Sequence, residues 1–87
     1  MAEDKNPDLV KFGVILNQRR KELEITQDQL SLFTRIDRSY ISEIENGLKN
    51  PSLTTILMLA RALYLKPSEL LIRFEEQIKY FNTDENK

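Results

Sequence analysis

The sequence of 87 residues contains no cysteine and no histidine. These absences exclude disulfides, thiolate nucleophiles, imidazole bases and nearly every usual zinc site, and they leave carboxylates as the remaining acid–base groups or metal ligands. No pair of carboxylates stands in a motif typical of catalysis. We therefore expect a protein that is not an enzyme and that has no metal site and no cofactor.

Long apolar segments are also absent. The longest uninterrupted apolar run, Ile56 to Ala60, is far shorter than the ~20 residues needed to cross a bilayer. The first residues, MAEDKNPD, are polar and acidic, unlike a signal peptide. These features predict a cytoplasmic protein with no membrane partner. A hydrophobic content of 40% suits one small domain, whose marginal core favours a homodimer.

Caps and apolar spacing predict an all-α fold of five helices. The predicted helices run from Pro7 to about residue 23, over 27–34, over 38–46, from the cap Ser52 through the apolar stripe Leu53, Ile56, Leu57, Ala60, Leu63 and Tyr64, and from Pro67 to about Asn82. The first helix carries its apolar stripe on Leu9, Phe12, Leu16 and Leu23. A single domain over 6–81 would then follow a disordered lead over 1–5 and precede a polar tail over 82–87.

The segment from Thr26 to Ser52 is the most informative part of the chain. Thr26 and Gln29 form a T-x-x-Q capping box for one short helix, Asp37 is placed to cap the next, and Gly47 stands where a left-handed helix stop is needed. Two short helices joined by a tight turn form a helix-turn-helix.

The two sides of the second short helix differ in chemistry. A helical wheel places Ile41, Ile44 and Leu48 on one side, which we predict to face the core. The opposite arc is polar and consists of Arg38, Ser39, Ser42, Glu43 and Asn46. An α-helix fits the DNA major groove, where base edges display distinct donors and acceptors. A solvated face that binds nothing is an equally weighted alternative from the wheel alone.

Net charge argues weakly against nucleic acid. The formal charge is -1 and the pI is near 5.4, whereas DNA-binding domains are usually basic. From Arg19 to Lys49 the chain carries six basic and six acidic residues. Any positive surface must therefore come from how the fold sorts these charges.

The motif residues together resemble a known family. They are Thr26-Gln27-x-x-Leu30, Tyr40-Ile41-Ser42-x-Ile44-Glu45-x-Gly47 and Asn50-Pro51-Ser52-Leu53. In this order and spacing they are similar to the Cro and lambda-repressor type of helix-turn-helix regulators, the XRE family. Within it, Arg38-Ser39-Tyr40-Ile41-Ser42 most resembles the small controller proteins of restriction–modification systems. Phage-like repressors and regulators of mobile elements share much of this pattern.

The resemblance implies a dimer that regulates transcription from a pseudo-palindromic operator in double-stranded DNA. It implies base contacts from Arg38 and Ser39. Glu43 is predicted as a third residue facing the bases, where it either reads a cytosine amino group or marks a position that must stay unpaired. The phosphate contacts that we predict are Gln27, Arg35, Tyr40, Ser42, Asn46, Lys49 and Asn50. Three of these residues have alternatives: Arg38 can pair with a neighbour such as Ser42 or the backbone at Asp37, Tyr40 can cover the core, and Gln27 can be merely solvated.

The resemblance also assigns structural roles. Arg20 late in the first helix pairs with Glu45, which locks the first and third helices together. Glu24 and Arg35 stand where the family usually has a glycine or an asparagine with positive φ. Either the turns are reshaped here, or the strain is tolerated because Arg35 gains a phosphate contact.

The dimer interface is predicted on the fifth helix. Leu70, Phe74, Ile78 and Phe81 form a stripe longer than a small core absorbs, and the interface is placed at Phe74, Ile78 and Phe81. Half-sites would then lie about one helical turn, ~34 Å, apart. If Leu70, Leu71 and Phe74 close the monomer core, only the later residues are exposed. A protein of another class, an antitoxin that neutralises a partner enzyme, is the alternative function.

Overall fold

The structure, a computed structural model, describes the backbone of residues 5–85 and the side chains of residues 5–76. Five helices follow one another in this part of the chain: α1 (Pro7–Glu22), α2 (Gln27–Thr34), α3 (Arg38–Glu45), α4 (Leu53–Ala62) and α5 (Pro67–Glu85). Over the same residues there is no β-strand. The predicted all-α fold of five helices is confirmed. Helix α5 continues to Glu85, beyond its predicted end near Asn82 and into the predicted polar tail.

Side-chain caps begin most of the helices. Asn6 Oδ1 accepts from the Asp8 and Leu9 amides at 2.8 and 3.3 Å. Thr26 and Gln29 form both bonds of the predicted capping box, and Ser52 Oγ accepts from the Thr55 amide at 3.2 Å. The Lys66 amide, at the poor N-cap of α5, donates to Glu69 Oε1 at 2.8 Å.

The cap predicted at Asp37 is wrong. Asp37 occupies the N-cap position of α3, but its side chain makes no capping hydrogen bond. The residue is exposed, so water can satisfy both its carboxylate and the first-turn amides of α3.

The core lies between the five helices, each of which packs on two others or more. Helix α1 packs on α3 and α5, α2 packs on α3 and α4, and α4 packs on α5. The fully buried large side chains are Ile15, Leu16, Leu30, Ile41, Ile44, Leu59, Leu63 and Leu70. Each helix thus contributes at least one apolar side chain to a single cluster, which holds the two short helices in place.

Three apolar residues predicted to be buried are exposed. Leu48 is 55% exposed, Leu53 70% and Tyr64 77%. Leu48 and Tyr64 lie beyond the ends of α3 and α4, where the chain turns away and the helical wheel no longer applies. Leu53 is the first residue of α4, a position with no preceding turn to cover it.

Gly13 allows α1 to lie directly on the end of α3. A Cβ at this position would lie 2.4 Å from the Glu45 carbonyl oxygen and 2.5 Å from that of Ile44. Both atoms belong to the backbone, so neither can move aside alone. Gly47 has the expected left-handed conformation, with φ of 75°, and it too lies close to α1, at Val10.

The turns after α1 and α2 keep the left-handed conformation without glycine. Glu24 has φ of 57° and Arg35 has φ of 64°. After α1 the Glu24 amide donates to the Lys21 carbonyl at 3.0 Å and thereby closes the helix end. The turns are therefore not reshaped. Tyr64 after α4, with φ of 56°, is a third such position that the sequence did not indicate.

Candidate nucleic-acid interface

Helix α3 has one anchored side and one polar side. Ile41 and Ile44 are each 1% exposed and belong to the core. The predicted polar arc lies on the other side: Arg38, Ser39 and Asn46 are exposed, and Ser42 and Glu43 are half-buried. At its C-terminal end Gly47 and Leu48 close α3 with amides that donate to Ile44 and Glu43 at 3.0 and 2.9 Å. The predicted recognition surface is thus held on a helix whose position is fixed.

A buried ion pair locks α3 against α1, as the family resemblance implied. Arg20 Nε donates to Glu45 Oε2 at 2.8 Å and Arg20 Nη2 donates to Glu45 Oε1 at 3.0 Å. The Asn17 amide adds a hydrogen bond to Glu45 Oε1 at 2.9 Å. The guanidinium also holds the turn that follows α1, since its Nη1 donates to the Ile25 carbonyl at 2.8 Å.

These hydrogen bonds decide the charge state of Glu45. Burial alone would raise the pKa of Glu45, but donors from Arg20, Asn17 and Gln27 outweigh burial and hold the pKa of Glu45 below its ordinary value. The hydrogen bond to Glu45 likewise raises the pKa of Arg20. The pair is ionised and internally neutral, so it adds no net charge to the surface around α3.

Gln27 connects this ion pair to the polar arc of α3. Its Nε2 donates to Glu45 Oε1 at 3.0 Å, and its Oε1 accepts from Arg38 Nη1 at 3.2 Å. The alternative in which Gln27 is merely solvated is therefore wrong, since the tight packing of α2 on α3 brings its amide between two charged groups. A phosphate contact by Gln27 stays a prediction.

Arg38 pairs with a carboxylate that the sequence did not suggest. Its Nε lies 3.1 Å from Asp28 Oδ1, and both side chains are largely exposed, at 56% and 79%. The partners considered from the sequence, Ser42 and the backbone at Asp37, make no such bond. Asp28 lies in the first turn of α2, and only the three-dimensional packing of α2 on α3 places it beside Arg38.

The remaining predicted contacts lie around α3. Arg35 is exposed in the turn before it, and Lys49 and Asn50 are exposed in the loop after it. Tyr40 is half-buried and packs against the core, as its alternative role required. Lys5, assigned from the sequence to a disordered lead, has its Nζ 2.9 Å from the Asn46 carbonyl oxygen, because the start of α1 lies beside the end of α3.

The fold does not produce a strongly basic face. Around α2, α3 and the following loop, the exposed or half-buried cations Arg35, Arg38 and Lys49 are balanced by three acidic groups. Those groups are Asp28, Asp37 and Glu43. A surface with this balance of charge attracts phosphate only weakly, so directed hydrogen bonds would have to carry any binding of DNA here.

The predicted dimer residues are only partly described. Leu70 is fully buried and Phe74 is half-buried against the core, so both help to close the monomer. The side chains of Ile78 and Phe81 lie outside the described residues. Leu71 and Ile72, by contrast, are 58% and 49% exposed. The alternative in which Leu71 also closes the core is wrong, because Leu71 lies one residue, about 100°, away from Leu70 around α5.

Neither membrane nor metal features are found where the structure describes the chain. None of the described helices is both long and apolar enough to span a bilayer. The described side chains contain no cluster of three or more potential ligands placed to hold a metal ion.

A polar recognition helix packed by its apolar side against a companion helix defines a helix-turn-helix protein. The chain belongs to the helix-turn-helix family HTH_3, which its residues 16–70 match. The match confirms the resemblance predicted from the motif residues.

Individual relatives include the two kinds of regulator that the motif suggested. The immunity repressor protein of Bacillus phage phi105 is 41% identical over 71 residues, covering 76% of this chain and 49% of the repressor. The chain thus spans about half the length of that relative. The controller protein C.AhdI from Aeromonas hydrophila is 43% identical, with a TM-score of 0.72 over 75% of this chain and 98% of that chain.

A further solved structure contains DNA. The controller protein C.Esp1396I, as a tetramer in complex with its natural 35 base-pair operator, is 27% identical to this chain. Its TM-score is 0.72, and the match covers 86% of this chain and 95% of that chain.

Proposed function

We propose that the chain is a transcriptional regulator that binds a pseudo-palindromic operator as a homodimer, with α3 in the major groove. The observation that carries the proposal is that α3 is anchored on one side and exposed on the other. Ile41, Ile44 and Glu45 anchor one side, while Arg38 and Ser39 are exposed at its N-terminal end. An α-helix fixed in this way can place a few side chains against base edges.

Arg38 has the chemistry for the central base contact. A guanidinium can donate two parallel hydrogen bonds to guanine O6 and N7. Ser39 follows it at the exposed start of α3, and Glu43 lies one turn further on, where a carboxylate can accept from a cytosine amino group. These three residues are the proposed base contacts.

The proposed phosphate contacts surround them. They are the residues predicted from the sequence: Gln27, Arg35, Tyr40, Ser42, Asn46, Lys49 and Asn50. Lys49 and Arg35 are the cations among these residues, and both are exposed. Phosphate contacts fix the register of a protein on the duplex, and base contacts then select the sequence.

A dimer interface on α5 is supported by the register of its apolar side chains. Leu71, Phe74, Ile78 and Phe81 follow one another at spacings of three and four residues, which places them along one seam of a helix. Leu71 at the start of this seam is exposed in the monomer. Its exposure extends the predicted interface of Phe74, Ile78 and Phe81 toward the N-terminal end of α5.

Two related proteins support a regulatory role. The relative from phage phi105 is an immunity repressor, and C.Esp1396I binds its own operator as a tetramer. We infer the same class of action here: occupation of an operator in the cytoplasm, without catalysis and without a cofactor. The absence of histidine and cysteine from the sequence is consistent with a role that needs no chemical step.

Selection of binding sites from random duplex DNA tests the proposal. At a stated salt concentration the protein should enrich a two-fold symmetric sequence whose half-sites lie ~34 Å apart, centre to centre. A chain that enriches no sequence above background would contradict the proposed function.

A further inference from the structure

The pairing of Asp28 with Arg38 joins two exposed side chains on different helices of the helix-turn-helix. Arg38 is the first residue of α3, where the positive end of the helix dipole disfavours a cation. Asp28 lies in the first turn of α2, where the same effect favours an anion. The Asp28 carboxylate therefore stabilises a guanidinium that the dipole of α3 disfavours.

A chain of hydrogen bonds connects Arg38 to the protein interior. Arg20 holds Glu45, Glu45 accepts from Gln27, and Gln27 Oε1 accepts from Arg38 Nη1 at 3.2 Å. Gln27 is half-buried, and its amide is fixed by the buried carboxylate. Arg38 is therefore held at two points, by Asp28 at Nε and by Gln27 at Nη1, although most of its side chain is in solvent.

This arrangement leaves donors available for DNA. A guanidinium has five N–H groups. One of the five, on Nη1, donates to Gln27 Oε1, and the Nε–H group lies beside Asp28 in the ion pair. The other three have no hydrogen-bond partner among the described residues. The remaining donors lie on the two terminal nitrogens, which are the atoms that make a bidentate bond to guanine.

We propose that Asp28 is a specificity-determining residue, which holds the Arg38 guanidinium for contact with a base and keeps it off the phosphate backbone. The inference rests on the proposed DNA-binding function. A phosphate that approached Arg38 would also approach the Asp28 carboxylate, and the two anions repel each other. A guanine edge carries no formal charge and is repelled much less, so the carboxylate favours the base over the phosphate.

Asp28→Asn tests this inference, because asparagine keeps the size and an acceptor oxygen but loses the charge. The dissociation constants for the selected site and for a random duplex are measured at one salt concentration. We expect random-duplex binding to strengthen and the ratio between the two constants to fall about fivefold, the size of an exposed ion pair. Asp8→Asn, which removes one negative charge from the start of α1, is the charge-matched control and should leave the ratio unchanged.

The same substitution in an Arg38→Ala background makes the test specific to this pair. If Asp28 acts through Arg38, Asp28→Asn has no further effect on the ratio in that background. Two results overturn the inference. One is that Asp28→Asn strengthens binding to the selected site and to random duplex equally. The other is that it lowers the ratio of the two dissociation constants by the same factor in the Arg38→Ala background. A wild-type chain that selects no sequence overturns the proposed function itself, whereas a wild-type chain that is selective and insensitive to Asp28→Asn overturns this inference alone.

Discussion

Individual side chains in this protein divide into those that hold α3 and those that α3 presents. The Arg20–Glu45 pair is buried and bidentate, with 11% and 4% of the side chains exposed. The Arg38–Asp28 pair is made of the same chemical groups but is mostly in water. Burial rather than geometry separates their contributions to stability, since exposed pairs contribute about 0–1 kcal/mol and a broken buried pair leaves a charge without solvent.

Glu45→Gln should therefore destabilise the fold strongly. It leaves the Arg20 guanidinium buried without its counter-charge, and we expect the free energy of unfolding at pH 7 to fall by about 3 kcal/mol. Urea unfolding followed by circular dichroism measures this. Glu22→Gln, the same substitution at an exposed carboxylate paired with Arg19 and Arg73, is the control and should change the free energy of unfolding much less, because water solvates the exposed groups. If the two variants lost the same free energy of unfolding, the buried pair would not stabilise the fold more than the exposed one.

The lowered pKa of Glu45 also predicts a pH dependence. A carboxyl whose pKa is lower in the folded state contributes stability that is fully present above its unfolded pKa of about 4.3. That contribution is lost as the pH falls through the folded pKa. Unfolding curves between pH 7 and pH 3 should show a steeper loss for the wild type than for Glu45→Gln. Parallel curves would show that Glu45 is not stabilised by its ion pair.

At the scale of the helices, close approach and helix ends determine how α3 is held. Gly13 is an interior residue of α1. At such a position alanine usually makes a protein more stable than glycine does, by about 0.5–1 kcal/mol. Its Cβ would instead lie 2.4 Å from the Glu45 carbonyl oxygen. Because of this contact between α1 and α3, Gly13→Ala should destabilise the protein, whereas helix propensity alone would predict stabilisation.

Gly13→Ala should lower the free energy of unfolding by about 1–3 kcal/mol, the usual effect of overpacking. Thermal unfolding measures the change. Gln18→Ala, at an exposed position of α1, is the control for the helix itself and should stay within about 0.5 kcal/mol of the wild type. A Gly13→Ala variant that is more stable than the wild type would show that α1 and α3 do not approach closely.

Substitution by glycine should stabilise the protein at the left-handed residue Glu24 and destabilise it inside α1. Glu24 has φ of 57°, a conformation that glycine adopts without strain. Glu24→Gly should therefore stabilise the protein by about 1 kcal/mol. Lys21→Gly, three residues earlier and inside α1, should destabilise it by a similar amount, about 1 kcal/mol. Thermal unfolding of the two variants gives the comparison, and a loss of stability in both would mean that the turn is not strained.

Local signals in the sequence predicted most of the elements, because they act over a few residues. The Thr26 capping box, the Ser52 cap and the Gly47 stop each involve bonds between near neighbours. The wheel failed at Leu48 and Tyr64, where the helices had already ended. The ion pair between Arg38 and Asp28 was not predictable, since it depends on how α2 and α3 pack, and no spacing in the sequence encodes that distance.

At the scale of the whole molecule, one copy presents a short recognition helix and a nearly neutral surface. Helices of this length contact few bases, so useful specificity requires two copies on one operator. The seam that begins at the exposed Leu71 on α5 is the surface proposed for that contact.

Leu71→Glu should convert the proposed dimer to a monomer without unfolding the chain, because Leu71 is exposed and lies outside the core. Analytical ultracentrifugation measures the mass, and circular dichroism checks the helix content. Leu32→Glu, at a leucine 78% exposed on α2, is the matched control and should stay dimeric. A Leu71→Glu variant that is still dimeric would place the interface elsewhere.

Lys49→Ala examines the phosphate contacts. Lys49 is exposed in the loop after α3, and a lost phosphate contact weakens binding to all sequences alike. We expect similar losses on the selected site and on random duplex, and a salt dependence of log K that is lower by about one unit. An unchanged salt dependence would remove Lys49 from the interface.

The most direct test of base recognition by α3 is the dissociation constant of Arg38→Ala for the selected site and for random duplex, measured at the same salt concentration. If Arg38 contacts a base, specific affinity should fall by about 1–3 kcal/mol, or about 5- to 150-fold, while random-duplex affinity changes much less and preference relaxes at one base pair of each half-site. Equal loss on both DNAs, with base preference unchanged, would contradict the account and place Arg38 on the phosphate backbone.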